Sequence, residues 1–264
     1  MAEFLQKMLA TTREDLEARK RRRPLEEIRE AAGNLPMVDR SLISAISKPG
    51  MSLIAEIKRA SPSKGDIRPG LDVAAIAAAY ERAGAAAVSV LTEERHFKGS
   101  LDDLRAARRA CDLPILRKDF IIDAYQVWEA AGAGADAVLL IVAALSVAEL
   151  GYLLGEAGQA GVEILVEVHN LEELQIAVSA LGDGLAAAIG INNRDLKTFE
   201  VDLETSLNLI KSVPEGIPVV SESGITTSND VARLARTGVD AVLVGETLMR
   251  SQDPGSKLRQ LLSF

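Results

Sequence analysis

Glu56 and Lys58 stand two residues apart in the run LIAEIK (53–58), so strand alternation sends both side chains to one face. A carboxylate and an ammonium on an apolar strand are poorly solvated and must pair with each other or with a bound molecule. Lys118 closes a second run within PILRKD (114–119), and Glu167 interrupts a third, EILVEV (163–168). Asn192 ends AAIGINN (187–193), and Glu222 and Ser223 end IPVVSESG (217–224). These are proton-moving groups. A lysine in a partly desolvated pocket beside other cations is expected to have a lowered pKa, which suits proton transfer or imine formation. A glutamate buried in an apolar run is expected to have a raised one. Each also has a plainer reading: a barrel-filling ion pair for Glu56 and Lys58, a strand-end cap for Lys118, a structural lysine partner for Glu167.

The polar segment Ser61-Pro62-Ser63-Lys64-Gly65 follows the first run, and small mobile residues above a strand end can close over a ligand. Gly224 and Gly245 sit at the ends of two consecutive runs, IPVVSESG and DAVLVGE (240–246). Glycine lets backbone N–H groups approach closely, and barrels often bind phosphate at this pair of strand ends. Phosphate is therefore the expected ligand group. A β-carbon at either glycine is expected to obstruct it directly.

These residues need a scaffold that brings distant strand ends together. Eight apolar runs recur along the chain: the five above, AAVSVLTE (86–93) and DAVLLIV (136–142); the eighth is DAVLVGE. Their length and Val/Ile/Leu content predict parallel strands buried on both faces. Helical stretches follow at 72–83, 100–110, 123–132, 146–160, 171–181, 203–212, 227–236 and 254–262. Asp72, Asp123, Ser146 and Ser228 suit helix N-caps. Gly in AGAAAV, AGADAV, AGVEIL and TGVDAV suits the turn back to the next strand. The alternation predicts an α/β fold, a (β/α)8 barrel that occupies residues 1–264 as one domain. Residues 2–48 precede the first strand as extra helices, with Phe4, Leu5, Met8, Leu9 and Leu16 at helical spacing and a break at Asn34-Leu35-Pro36.

The 264 residues carry 30 Lys plus Arg against 38 Asp plus Glu, a net charge of −8 that disfavours non-specific nucleic-acid binding. The basic run Arg19–Arg23 is flanked by acidic residues and reads as a solvated helix end. One cysteine, Cys111, forms no internal disulfide or thiolate cage, and His96 and His169 have no metal-ligand spacing. No metal is expected. No signal-peptide core or membrane-length apolar stretch is read, so a cytoplasmic monomer is expected, with no membrane partner.

The segments IAEIKRASPSKG, LTEERHFKGS, ILRKDFIID-YQ, LVEVHN, IGINNRDL, VSESGI and LVGETLMR run in order between residues 54 and 250. Together they resemble the indole-3-glycerol-phosphate synthase family. The resemblance implies conversion of an anilino-deoxyribulose phosphate to indole-3-glycerol phosphate with loss of CO2 and water, without a cofactor. It implies acid–base roles for Lys118 and Glu167, catalytic roles for Glu56, Lys58, Asn192, Glu222 and Ser223, and phosphate contacts at Lys58, Gly224, Gly245 and Glu246. Ser61, Pro62, Phe97, Phe120, Arg194 and Leu243 are then expected around the rest of the substrate. His96, Lys98 and Glu246 depart from the family pattern. A carboxylate repels phosphate, so the Glu246 side chain is expected to turn away while its N–H donates. Two readings from other classes stay open on the residues alone: a Schiff-base aldolase using Lys118, and a non-catalytic phosphate-binding subunit.

Overall fold

The computed structural model describes residues 3–34, 40–182 and 185–264. Leu35 and Pro36, on which the N-terminal helix break was placed, lie outside the described residues. Eight parallel strands form a closed barrel: β1 (Ser52–Ile57), β2 (Ala87–Leu91), β3 (Ile115–Lys118), β4 (Ala137–Ile141), β5 (Glu163–Val168), β6 (Ala187–Asn192), β7 (Val219–Glu222) and β8 (Ala241–Val244). Each pairs with its sequence neighbours, and β1 closes the ring against β8. Alternation divides the apolar residues. Ile54, Leu116, Leu139, Leu165, Val220 and Leu243 point inward, while Leu53, Val88, Ile115, Val138, Ile164 and Val242 pack outward under the helices.

After the N-terminal helices α1 (Glu3–Arg22), α2 (Leu25–Gly33) and α3 (Leu42–Ile46), the barrel helices are α4 (Val73–Ala83), α5 (Leu101–Ala110), α6 (Ala124–Ala133), α7 (Val147–Ala160), α8 (Leu171–Leu181), α9 (Glu204–Leu209), α10 (Ser228–Ala235), α11 (Glu246–Met249) and α12 (Pro254–Leu262). Asp72, Asp123 and Ser146 cap α4, α6 and α7 through side-chain oxygens, each satisfying an orphan N–H of the first turn. At α10 the cap is Thr227 rather than Ser228: Thr227 accepts from Asp230 N, and the Asp230 carboxylate reaches back. Gly84, Gly134 and Gly161 end their helices in the left-handed conformation.

The N-terminal helices grip the barrel at two levels. α3 plugs the bottom, where Leu42 and Ile46 meet Ile54, Ala87 and Ala137, and Glu163 at the start of β5 accepts from Ile43 N (2.9 Å) and Ser41 Oγ (2.5 Å). α1 starts at the mouth and ends against α6, with Leu16 on Tyr125. Two residues of the basic run are docked there rather than solvated: Arg19 pairs with Glu129 at 3.1 Å and Lys20 with Asp123 at 2.6 Å. Glu129 also holds Arg117, whose wholly buried guanidinium bonds Asp119 (2.9 Å), Thr92 Oγ1 (3.0 Å) and Gln126 O (2.8 Å). A buried guanidinium demands this many partners. The network fixes β3 one residue before Lys118.

Candidate active site

Register decides which side chains meet. Glu167 in β5 lies opposite Ile141 in β4 and Gly190 in β6. Asn192 at the end of β6 lies opposite Glu222 of β7, which lies opposite Leu243 of β8. The eight strand ends open into a cavity of about 560 Å³. Its lining includes Glu56, Lys58, Ser61, Pro62, Phe97, Lys118, Phe120 and Glu167 on one side of the ring. Asn192, Arg194, Glu222, Ser223, Gly224, Leu243, Gly245 and Glu246 complete it on the other. Residues more than 180 positions apart in sequence thus share one space.

At the floor, Lys118 Nζ donates to Glu167 Oε2 and Glu222 Oε2, both at 2.8 Å. The expected direction of the Lys118 shift is reversed. Burial opposes its charge, but Glu167, Glu222 and Glu56 outweigh burial and hold the ammonium well above the usual lysine range. Of the charges expected around it, the carboxylates rather than a cation set its state. Glu167 is reversed too. Burial raises it, yet Lys118 and His169 outweigh burial and hold it far below the usual carboxylate range. Asn192 Nδ2 adds a second hydrogen bond at 3.1 Å, to Oε1. The raised carboxyl is Glu222 instead: burial drives it up to about 7, Lys118 draws it back and the Glu167 charge pushes it further. Its Oε1 is buried without a hydrogen-bond partner. A carboxyl that keeps its proton near neutrality suffers least from that isolation. Two carboxylates on one ammonium are thereby pushed apart in acidity, the arrangement that separates a proton donor from a permanent base.

Gly190 makes room for this pair. A β-carbon there would lie 2.3 Å from Glu222 Oε1 and 3.3 Å from the Leu165 side chain. Gly190→Ala is expected to destabilise the fold by about 1–3 kcal/mol through overpacking, measured as a lower urea midpoint. An unchanged midpoint would mean that Glu222 has space to move.

On the other side of the mouth, Lys58 Nζ sits 2.6 Å from Glu56 Oε1, the ion pair that strand alternation implied. Gly245 faces it, and a β-carbon there would stand 2.0 Å from Glu56 Oε1 and 2.8 Å from Glu56 Cδ. A β-carbon at Gly224 (φ +80°) would meet Val201 Cγ1 at 2.5 Å. The expectation of direct obstruction of a ligand needs correction: both β-carbons collide with protein first. Ser223 precedes Gly224 and is itself left-handed at φ 67°, a conformation non-glycine residues hold only when their surroundings enforce it. Glu246 turns to Arg250, whose Nε lies 2.9 Å from its Oε1, so its carboxylate is engaged by a cation.

The walls are set by loops. The segment after β1 is anchored at its base: Ala60–Ser61 pairs antiparallel with Gly65–Asp66, Arg59 bonds Asp103, and Lys98 reaches Asp66 at 2.5 Å. Glu93 turns the β2 loop by accepting from His96 N (2.7 Å) and Phe97 N (2.8 Å). Phe97 then faces Phe120 across 6.4 Å. Arg194 donates to Phe199 O at 3.1 Å, and the Phe199 ring meets Phe4 edge-on at 4.9 Å. Phe4, Phe199, Thr226, Thr247 and Arg250 line the cavity without having been candidates. Phe4 was read only as helix packing, and the others stand beyond the strand ends where no periodicity points. Among the described residues, no group of three or more His, Cys, Asp or Glu is placed to hold a metal ion.

Comparison with known proteins agrees with this geometry. The family model for indole-3-glycerol phosphate synthase matches residues 5–261. The chain is 48% identical over 262 residues to an indole-3-glycerol phosphate synthase of Dehalococcoides mccartyi, covering 98% of this chain and 100% of that one. It is 46% identical over 267 residues to that of Laribacter hongkongensis, covering 100% of both. Among solved structures, 3-hexulose-6-phosphate synthase from Salmonella typhimurium aligns with a TM-score of 0.62 at 15% identity, covering 80% of this chain and 96% of that one. A mutant tryptophan synthase α-subunit from Pyrococcus furiosus aligns at 0.62 and 15%, covering 81% and 99%. At such identities these two show the barrel fold alone. The match across nearly the whole length, together with close to half the residues identical to named relatives, shows that the chain belongs to the indole-3-glycerol phosphate synthase family.

Proposed function

We propose that Lys118, Glu167 and Glu222 carry the acid–base steps of the family's reaction. The enzyme is a carboxy-lyase of tryptophan biosynthesis, closing the ring of 1-(2-carboxyphenylamino)-1-deoxyribulose 5-phosphate with loss of CO2 and water to give indole-3-glycerol phosphate. The observation that carries the assignment of roles is one ammonium held at 2.8 Å from two carboxylates at the cavity floor.

Ring closure joins an aromatic carbon to the ketose carbonyl carbon, and the carbonyl oxygen must gain a proton as the bond forms. Lys118, held cationic by its neighbours, is the donor placed for this step. The carboxylate then leaves as CO2, and its bonding pair restores the aromatic ring with no electron acceptor required. Dehydration needs an acid on the departing hydroxyl and a base for a proton of the adjacent ring CH2, since the indole product keeps its N–H. Glu222, near neutrality in acidity, suits the acid, and ionised Glu167 the base. Lys58 and Glu56, beside Gly245, stand at the end of the cavity where phosphate is proposed to bind through backbone N–H groups of Gly224, Gly245 and Glu246. Ser61, Pro62, Phe97, Phe120, Arg194 and Leu243 are proposed to hold the anthranilate ring and its carboxylate, and Asn192 and Ser223 to orient the sugar chain. A permanently charged Lys118 is a poor imine-forming nucleophile, which argues against the aldolase reading.

The proposal takes the whole chain as one cytoplasmic working unit, a monomer whose site is lined by its own residues. Among the described residues no helix is long and apolar enough to cross a membrane.

Glu167→Gln tests the division of roles. The amide keeps the shape but carries no proton, so kcat is expected to fall by roughly 10²–10⁴. Glu222 loses a neighbouring negative charge, so its pKa falls and the near-neutral limb of the pH–rate profile moves to lower pH. Ultraviolet detection of the indole product reads both. Full activity with an unmoved limb would make Glu167 structural.

A further inference from the structure

We infer that His169 is a positioning residue which, held as an imidazolium between Glu167 and Glu173, decides which of the two carboxylates on Lys118 keeps a proton. The inference rests on the acid–base reading of that pair. His169 follows β5 by one residue, and its side chain is 9% exposed. Nδ1 lies 2.9 Å from Glu173 Oε2, and Nε2 lies 3.3 Å from Glu167 Oε1. Nδ1 is hydrogen-bonded to its carboxylate, whereas Nε2 is buried at ion-pair distance from its own and makes no hydrogen bond. A neutral imidazole has one N–H. With that proton on Nδ1, Nε2 would be buried as a bare lone pair 3.3 Å from an anion, with no donor to meet it. Only the imidazolium suits both neighbours.

Glu173 is not free to leave. Its Oε2 also accepts from His169 N at 2.8 Å, its Oε1 accepts from Asn170 Nδ2 at 2.7 Å, and its own N–H donates to Asn170 Oδ1 at 3.0 Å. It sits in the first turn of α8, where a carboxylate is favoured by the helix field. The charged groups facing His169 are Glu167 on β5, Glu173 on α8 and Asp195 on the loop after β6, with Lys118 on β3 reached through Glu167. Three of these four are anions. In agreement, burial opposes the imidazolium but the contacts to Glu167 and Glu173 outweigh it and raise its pKa to about 10.

The consequence is an asymmetry at the floor of the site. Glu167 is engaged by Lys118, Asn192 and His169, whereas Glu222 is engaged by Lys118 alone and keeps an unpartnered Oε1. Without this second cation the two carboxylates would compete for one proton on more equal terms. His169 thus keeps Glu167 as the base and leaves the proton to Glu222. It touches no reacting atom and acts through Glu167.

The test uses the full chain and two independent readouts. The first is the imidazole ¹⁵N spectrum at about pH 8, where an ordinary histidine is neutral. His96 is the other histidine in the chain, so a His96→Gln variant isolates the His169 signal. Both His169 nitrogens should be protonated, and a neutral ring would overturn the inference. The second is the pH–rate profile of His169→Gln. Loss of the cation should lower kcat roughly tenfold, a part of what an acid–base group supplies, and move the near-neutral limb to higher pH. A profile shaped as in the parent, whatever the stability of the variant, would reduce His169 to packing and overturn the inference. Should His169→Gln not fold, Glu173→Gln serves. Its imidazole should lose the proton at lower pH, so kcat should match the parent on the acid side and fall early on the alkaline side; an unchanged alkaline side overturns the inference. If Glu167→Gln is fully active, the acid–base reading fails separately, while the ¹⁵N spectrum still decides whether the imidazolium exists.

Discussion

Replacing Lys118 by alanine is expected to lower kcat by on the order of 10²–10⁴, the scale of a lost acid–base group, with the barrel still formed. The sequence alone suggests that the fold would be indifferent to this change. The structure requires a price in stability that depends on pH. Lys118 is the cation shared by Glu167 and Glu222, and its removal leaves two buried carboxylates in the same space. Breaking a buried pair in this way costs about 3–5 kcal/mol when the remaining charge cannot neutralise. Here it can, because Glu222 already stands near 7 and loses the cation that draws it down. The folded variant then binds more protons than the unfolded chain through the neutral range, so its stability falls as pH rises. Melting temperatures should lie nearer the parent at about pH 5 and farther below it at about pH 8, where a carboxyl of ordinary acidity is fully ionised in the unfolded chain. Near-normal kcat would remove Lys118 from the mechanism. An equal stability loss at both pH values would show that the two carboxylates do not interact.

Gly245→Val is expected to damage turnover as well as affinity. The new β-carbon falls 2.0 Å from Glu56 Oε1 and 3.1 Å from Glu56 Cβ, too close for any side chain. Glu56 is 4% exposed and bound to Lys58 at 2.6 Å, so it cannot swing clear without taking the lysine with it. Valine's two methyl groups make the collision worse. Displacing a positioned group by about 1 Å can cost 10²-fold in rate, and kcat/KM should fall by roughly that factor with both parameters contributing. Inorganic phosphate should compete with substrate in the parent and weakly in the variant. A variant with raised KM, parent-like kcat and an undisturbed Glu56–Lys58 pair would show that the valine meets the ligand alone.

The strand ends were legible because their signal is local. A charged residue closing an apolar run marks a mouth wherever strands run parallel, and Lys118, Glu167 and Glu222 all carry that mark. The acidities were not legible. Whether a buried lysine is pushed up or down depends on which charges surround it, and register, not spacing, sets Glu167 and Glu222 on either side of Lys118. His169 was dismissed because its spacing suits no metal, although its partners are carboxylates on the preceding strand and on the following helix. The Cβ collisions at Gly224 and Gly245 were hidden for a related reason. A glycine that leaves room for a ligand and one that leaves room for a neighbouring side chain read alike until Glu56 and Val201 are placed.

The plug at the barrel floor has a consequence for how the chain is made. Ile43 and Ser41 are held by Glu163, 120 and 122 residues further along. At about 5–20 residues per second of synthesis, the ribosome needs roughly 6–24 s to deliver that carboxylate after α3 has emerged. During this interval Leu42 and Ile46, wholly buried in the finished protein, can be covered only in stages, as Ile54, Ala87 and Ala137 are delivered ahead of the fifth strand. α3 thus waits for its full seat, and its Ser41 and Ile43 contacts are made only once the fifth strand has arrived.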